Sequence, residues 1–297
     1  MLELKNITKS YNGFRAVNDL SLKVPAGVVY GLLGPNGAGK TTTIRMIMNI
    51  IVPDCGEVLF DGHIWDESMK NRIGYLPEER GLYQRMKVND VLVYLAALKG
   101  VAPGVAQPRV DSWLSRVGLS DWKNRKINEL SKGMQQKIQF ISTIIHNPAL
   151  LILDEPFSGL DPINTTLLKD ILLELKGSGT TIILSTHLME QAEKLCDYIC
   201  LINKSQKVLD GGLAQIKSRF GKNSVIMAFK GTSQFLKEIP EIHKVDDYGQ
   251  YVEIQLKDGA NPQHILRRAL DHTEVWRFEL AEPSLNDIFI RMVTGNA

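Results

Sequence analysis

The stretch Gly34-Pro35-Asn36-Gly37-Ala38-Gly39-Lys40-Thr41-Thr42 constrains this chain more than any other. It has the spacing G-x-x-x-x-G-K-[ST], with Gly34, Gly39, Lys40 and Thr41 at the fixed positions. Glycines let successive backbone N–H groups turn inward around an anion, in conformations where a Cβ would clash. Lys40 then reaches the β- and γ-phosphates, and the Thr41 hydroxyl is a ligand for Mg2+. On the N-terminal side, Val28-Val29-Tyr30-Gly31-Leu32-Leu33 is a short apolar run of the kind that forms a buried parallel strand. On the C-terminal side, Ile44, Ile47, Met48 and Ile51 fall on one helix face. Strand, glycine loop and helix in that order aim a helix N-terminus at the phosphates. The stretch reads as a cradle for a nucleoside triphosphate.

With 297 residues the chain has room for one large domain or two ordinary ones. A composition 44% hydrophobic and 23% charged is that of a soluble globular protein. No run approaches the ~18 apolar residues of a membrane span. The N-terminus, Met-Leu-Glu-Leu-Lys-Asn, lacks the layout of a secretory signal, so the expected residence is the cytosol. A net charge of +2 neither demands nor excludes nucleic acid. Cys55, Cys196 and Cys200 are too few for a disulfide framework and read as core or surface thiols.

Along the chain, residues 2–9 and 20–24 alternate apolar and polar, which predicts antiparallel strands with Tyr11 in the connection. Taken alone, Tyr11 reads as packing. Strands are expected at 57–60 and 73–76, the latter running into Pro77-Glu78-Glu79-Arg80, a carboxylate pair where open α/β sheets bind ligands. Residues 88–147 read as helices, one capped by Asn89, the next stopping near Gly118 and a long one capped by Ser131. Leu150-Leu151-Ile152-Leu153 is a fully apolar strand ending in Asp154-Glu155-Pro156. Two acids there cost several kcal/mol to desolvate without a partner such as phosphate-bound Mg2+. A helix with Ile163, Leu167, Leu168, Ile171 and Leu175 on one face leads to the strand 180–184, which ends in Ser185-Thr186-His187. From about residue 221 short strands and two helices make a small α+β unit.

The motifs join at Leu130-Ser131-Lys132-Gly133-Met134-Gln135-Gln136-Lys137, which is similar to the Leu-Ser-Gly-Gly-Gln signature of the ATP-binding cassette (ABC) ATPases. Over residues 1 to about 215 the chain resembles that family. The fold class implied is α/β: a P-loop NTPase with a mostly parallel central sheet, an antiparallel β subdomain and a helical insertion at about 85–147. The domains expected are a nucleotide-binding domain at 1–220 and an accessory α+β domain at 221–297. The resemblance implies ATP and Mg2+ as cofactors. It makes Glu155 the general base, with Lys40 and His187 on the γ-phosphate. Thr41, Glu78 and Asp154 would hold the metal, and Tyr11 would stack on adenine. The loop Gly34 to Thr42 would bind the phosphates, while Ser131, Gly133 and Asp161 would act across a dimer interface.

Three departures stand out. Glu78 occupies the place of a glutamine in most members, Lys132 that of a signature glycine, and Met134 that of a signature glutamine. The wording around Glu78 and Ser131 is similar to exporter ATPases of the sodium-efflux or drug- and antibiotic-export type. The expected partners are a second cassette, identical or related, in the ATP-bound state and a membrane permease on a separate chain, at the cytoplasmic face of the cell membrane. No nucleic acid is expected. The alternative is a soluble ABC ATPase acting on nucleic acid or ribosomes, although the stretch from Lys40 to Ser131 is short for the long coiled-coil arm of such proteins.

Overall fold

The computed structural model describes residues 1–79, 81–220, 224–257 and 259–294. Arg80 and Gly221 therefore lie outside the described residues. The chain divides into two compact units, Met1–Gly211 and Gly212–Ala297.

The first unit begins with the hairpin β1 (Leu2–Tyr11) and β2 (Phe14–Val24), followed by β3 (Val29–Leu33) and helix α1 (Lys40–Ile47). Strands β4 (Cys55–Phe60), β5 (His63–Ile64) and β6 (Ile73–Leu76) come next. Helices α2 (Val88–Leu98), α3 (Pro103–Arg116) and α4 (Lys132–Ile144) then interrupt the strands. The chain continues through β7 (Leu150–Asp154), α5 (Pro162–Gly177), β8 (Thr181–Thr186), α6 (Met189–Leu195), β9 (Tyr198–Asn203) and β10 (Gln206–Gly212). The second unit holds α7 (Leu213–Arg219), β11 (Ser224–Phe229), β12 (Ile242–Asp247), β13 (Val252–Leu256), α8 (Pro262–His272), β14 (Val275–Ala281) and α9 (Leu285–Thr294).

Among the described residues the strands form three sheets, ordered β2-β1-β4-β5, β10-β9-β3-β8-β7-β6 and β12-β13-β11-β14. In the six-stranded sheet β3, β7 and β8 are buried along their whole length. A parallel sheet covered on both faces requires such unbroken apolar runs. Its register decides where the chemistry goes. Leu33 pairs with Thr186, Asp154 with Ser185, and Leu76 with Leu153, in parallel strands. The C-terminal ends of four strands therefore reach one edge, and the loops after them emerge side by side.

Three local expectations are corrected. Tyr11 is the last residue of β1 and pairs with Phe14 in a longer hairpin than the alternation suggests, closed by Asn12 and Gly13 at positive φ. Helix α2 is capped at Lys87 without a side-chain bond, and Asn89 lies inside it, accepting from Gln107 Nε2 at 2.8 Å. Ile163 is 82% exposed in the first turn of α5, before the buried face of Leu168, Ile171 and Leu172 begins. Ser131 caps α4 as expected, its Oγ accepting from Met134 N–H.

Candidate active site

Two glycines of the loop after β3 are required by close backbone approach. At Gly34 (φ +152°) a Cβ would lie 2.1 Å from Ile202 O, and at Gly39 (φ +109°) it would lie 2.3 Å from Ala16 O. No side chain could be accommodated at either place without moving β2 or β9. Gly39 is also the N-cap of α1 and supplies no capping side chain, and α1 has no acidic residue in its first turn. The N–H groups at this helix start are left for an anion. The loop is pinned by Ser205 N–H donating to Ala38 O and by Ala38 N–H donating to Pro35 O, both at 3.2 Å.

Lys40 is only 6% exposed. Its Nζ donates to Gly34 O at 2.7 Å and Pro35 O at 3.2 Å, and lies 3.8 Å from Glu155 Oε1. Burial lowers its pKa, while Glu155, Asp154 and Glu78 pull the other way. The ammonium is thus held in a partly desolvated place by two carbonyl acceptors and by carboxylates that face it.

The acids come from the end of β7. Asp154 is 1% exposed; its Oδ1 accepts from Ser185 Oγ at 2.7 Å, whereas its Oδ2 is buried with no partner. A buried carboxylate oxygen without a donor costs several kcal/mol. The chemistry therefore fits a divalent cation or its water on that oxygen. Glu155 follows in the left-handed region (φ +47°), an expensive conformation for a residue with a Cβ. That twist delivers its carboxylate to the sheet edge. Oε1 accepts from His187 N–H at 3.0 Å and lies 2.8 Å from His187 Nδ1, while Oε2 accepts from Thr186 Oγ1 at 3.1 Å. The carboxylate is oriented from the end of β8 and left pointing at Lys40.

A cavity of about 330 Å3 is lined by Asn36, Gly37, Gly39, Lys40, Thr41, Thr42, Glu78 and Glu155, joined by Phe14 and Ala16 of β2. Glu78 also borders an adjoining chamber of about 180 Å3 that includes Asp154 and Gln136. The fold thus brings together most of the residues expected from the sequence. Gly34, Pro35 and Ala38 belong to the loop but are not among the cavity's walls, and His187 meets the site through its contacts with Glu155. Ser131, Gly133, Asp161 and Tyr11 are not walls of this cavity. Asp161 instead caps α5, accepting from Asn164 N–H at 2.9 Å, and those bonds hold its carboxyl below the usual range. Phe14, Ala16, Ser185 and Thr186 were given no role by sequence reasoning. The signal for Phe14 was its place beside the Asn12-Gly13 turn, opposite Tyr11. Helix α4 is tied to the loop after β7 by Gln136 Nε2, which donates to Pro156 O at 2.9 Å. Cys196 and Cys200 are free and buried, and burial raises both thiol pKa values, to about 12 for Cys196.

A glycine cradle at a helix start, a buried lysine and an acid pair at the end of the adjacent strand define a nucleotide-hydrolysing P-loop protein. Residues 17–158 match the model of the ABC transporter family, and residues 211–293 match that of the ATP-binding protein DrrA1-3-like C-terminal domain. The chain is 45% identical over 293 residues to the uncharacterized ABC transporter ATP-binding protein YhaQ of Bacillus subtilis (strain 168), covering 99% of this chain and 98% of that protein. It is 32% identical over 308 residues to the daunorubicin/doxorubicin resistance ATP-binding protein DrrA of Streptomyces peucetius, covering 99% and 92%. A solved structure of an ATP-binding subunit of an ABC transporter superposes with a TM-score of 0.69 at 31% identity, covering 74% of this chain and 93% of that one. This chain belongs to the ABC transporter ATP-binding proteins and is an ATP-binding, ATP-hydrolysing subunit. These matches lend nothing to the nucleic-acid alternative.

Proposed function

We propose that this subunit powers export through a membrane permease carried on another chain, by closing as a dimer around ATP. No helix among the described residues is long and apolar enough to cross a membrane, and the pumping subunit needs a conduit. Drug resistance in the name of the Streptomyces relative supports the outward direction. The subunit would then work at the cytoplasmic face of the cell membrane.

The observation that carries the dimer is the position of the signature. Ser131 is exposed at the start of α4, Gly133 has open space where a Cβ would stand, and neither lines this chain's own cradle. A helix N-terminus with an exposed hydroxyl is suited to a γ-phosphate presented by a second cassette. On this reading Lys40 and the N–H groups of residues 36–42 bind the β- and γ-phosphates, and Asp161 lies at the interface between copies. Thr41, Asp154 and Glu78 would hold Mg2+, which neutralises the charge that develops on the phosphates. Glu155 takes the proton of the attacking water. His187 and Thr186 keep that carboxylate aimed, and His187 approaches the γ-phosphate. Tyr11 stands beside the adenine. Such a base contributes about 10²–10⁴-fold in rate.

The test is Glu155→Gln. Turnover should fall by about 10²-fold or more while ATP binding persists, and light scattering should then show a stable ATP-bound dimer. A variant that hydrolyses ATP at the parent rate removes Glu155 as base. One that stays monomeric with ATP removes the dimer.

A further inference from the structure

We propose that the exposed cations around Lys87 and Lys126, in the helical insertion, form a contact surface for anionic phospholipid headgroups. The inference rests on the reading that this subunit works at a membrane face, and adds a direct lipid contact to it.

The insertion is far more basic than the chain that carries it. Residues 85–147 hold ten Lys/Arg against four Asp/Glu, a balance of +6 in a chain whose total is +2. The fold then gathers part of that excess. The segment entering α2 runs antiparallel to the segment leading to Ser131. Val88 N–H donates to Arg125 O at 2.9 Å, Ile127 N–H to Met86 O at 3.0 Å and Asn128 N–H to Gln84 O at 3.0 Å. Val88 and Ile127 are fully buried and anchor the two segments. Lys87 and Lys126 become direct partners across the bridge between them. Both lysines are exposed, and so are Arg85 and Arg125 beside them.

This placement is unfavourable for the chain alone. Like charges on directly opposed residues repel. Lys87 is also the N-cap of α2, where a cation opposes the helix dipole, and Asp90 in the first turn offsets that only in part. Among the described residues no carboxylate pairs with Arg85, Lys87 or Lys126, and Arg125 has an exposed contact with Glu129 at 3.8 Å. Other cations of the insertion are engaged more closely, Lys123 with Asp111 and Arg116 with Glu174, each at 2.5 Å. Repulsion between cations held together by backbone is relieved by an external anion. Anionic headgroups offer phosphates as a broad array, which suits cations spread over a surface. Each Lys or Arg brought near such a leaflet strengthens adsorption by about fivefold.

Flotation of the full chain with phosphatidylcholine vesicles, with or without about one-third phosphatidylglycerol, tests this. The parent should bind the anionic vesicles, ignore the neutral ones, and lose most of its binding when salt is raised from about 0.1 to 0.5 M. Lys87→Gln with Lys126→Gln should weaken binding by about tenfold or more, while Lys87→Arg with Lys126→Arg should keep it. The glutamine pair should also melt no lower than the parent, because it removes a repulsion; a misfolded variant would lose both properties together. Lys230→Gln with Lys237→Gln, an equal loss of charge in the second unit, should leave vesicle binding within about twofold. The proposal is overturned if the parent ignores anionic vesicles, binds neutral ones equally well, or is weakened as much by the second pair as by the first. Binding of single-stranded RNA through Lys87 and Lys126, without binding of vesicles, would also overturn it, in favour of a nucleic-acid surface. None of these outcomes touches the ATPase reading, which Glu155→Gln tests separately.

Discussion

Strand β7, Leu150-Leu151-Ile152-Leu153-Asp154, is buried from end to end, whereas β12, Ile242-His243-Lys244-Val245-Asp246-Asp247, is at most half-buried. The contrast runs through both units. The first has a mostly parallel six-stranded sheet with β3, β7 and β8 buried throughout, and it hides charged groups beside that sheet's edge: Asp154 at the end of β7 and Lys40 at the start of α1. The second has an antiparallel sheet with one packed face built around Val225, Met227, Ile254, Leu256 and Ile265. Among its described residues the buried polar side chains are Ser224 and Gln255, both uncharged. Antiparallel sheets tolerate water on one face, so their polar residues can simply point outward. A charge buried in the first unit has no such exit, and it persists where a ligand will pair with it. Chemistry and strain collect together: Asp154 Oδ2 lacks a partner and Glu155 sits at positive φ in the same turn.

That contrast can be broken by matched substitutions. Gly39→Ala should abolish measurable nucleotide binding and cost about 3 kcal/mol or more, because the new Cβ meets backbone at an unfavourable φ. Gly249→Ala, also at positive φ (+80°) but in open space within the second unit, should cost only about 1–2 kcal/mol and leave ATP binding intact. Equal losses in thermal unfolding and nucleotide titration would erase the distinction.

Acid sensitivity offers a second, smaller contrast. Burial, with Lys99 and Arg109 nearby, lowers the pKa of His146 from 6.5 to about 4. The unfolded chain therefore binds the proton first. Stability is complete above pH 6.5 and declines as pH falls towards 4, by about 3 kcal/mol in all. His146→Gln should flatten that decline in denaturant melts between pH 4 and 7; an unchanged slope would place the acid lability elsewhere. The smallest effect belongs to the second unit. Lys244→Ala removes an exposed pair with Asp246 and should shift stability by no more than about 0.5 kcal/mol. A loss several times larger would mean that this sheet relies on its charges as the first one does.

Legibility followed the same division. The short strands expected beyond residue 221 are present at residues 224–229, 242–247 and 252–256, because strand-forming runs between turns are a local signal. The phosphate cradle was equally plain, since glycine spacing is a local requirement as well. Misreadings fell where neighbours decide. Asn89 has the chemistry of a cap, but the chain enters α2 two residues earlier, at Lys87, and Val88 N–H donates to Arg125 O. Ile163 fits the apolar period of α5 but sits in a turn that nothing covers.

From residue order alone came the loop that grips phosphate, the alternation of strands and helices, and the acids that close the strand at Asp154, because each is written in spacing a few residues long. Only the folded chain decided that Phe14 and Ala16 flank the cradle and that Thr186 and His187 aim Glu155. It also decided that Asp154 keeps one oxygen unpaired. Those relations depend on the register of strands distant in sequence, and register is set by how whole sheets pack.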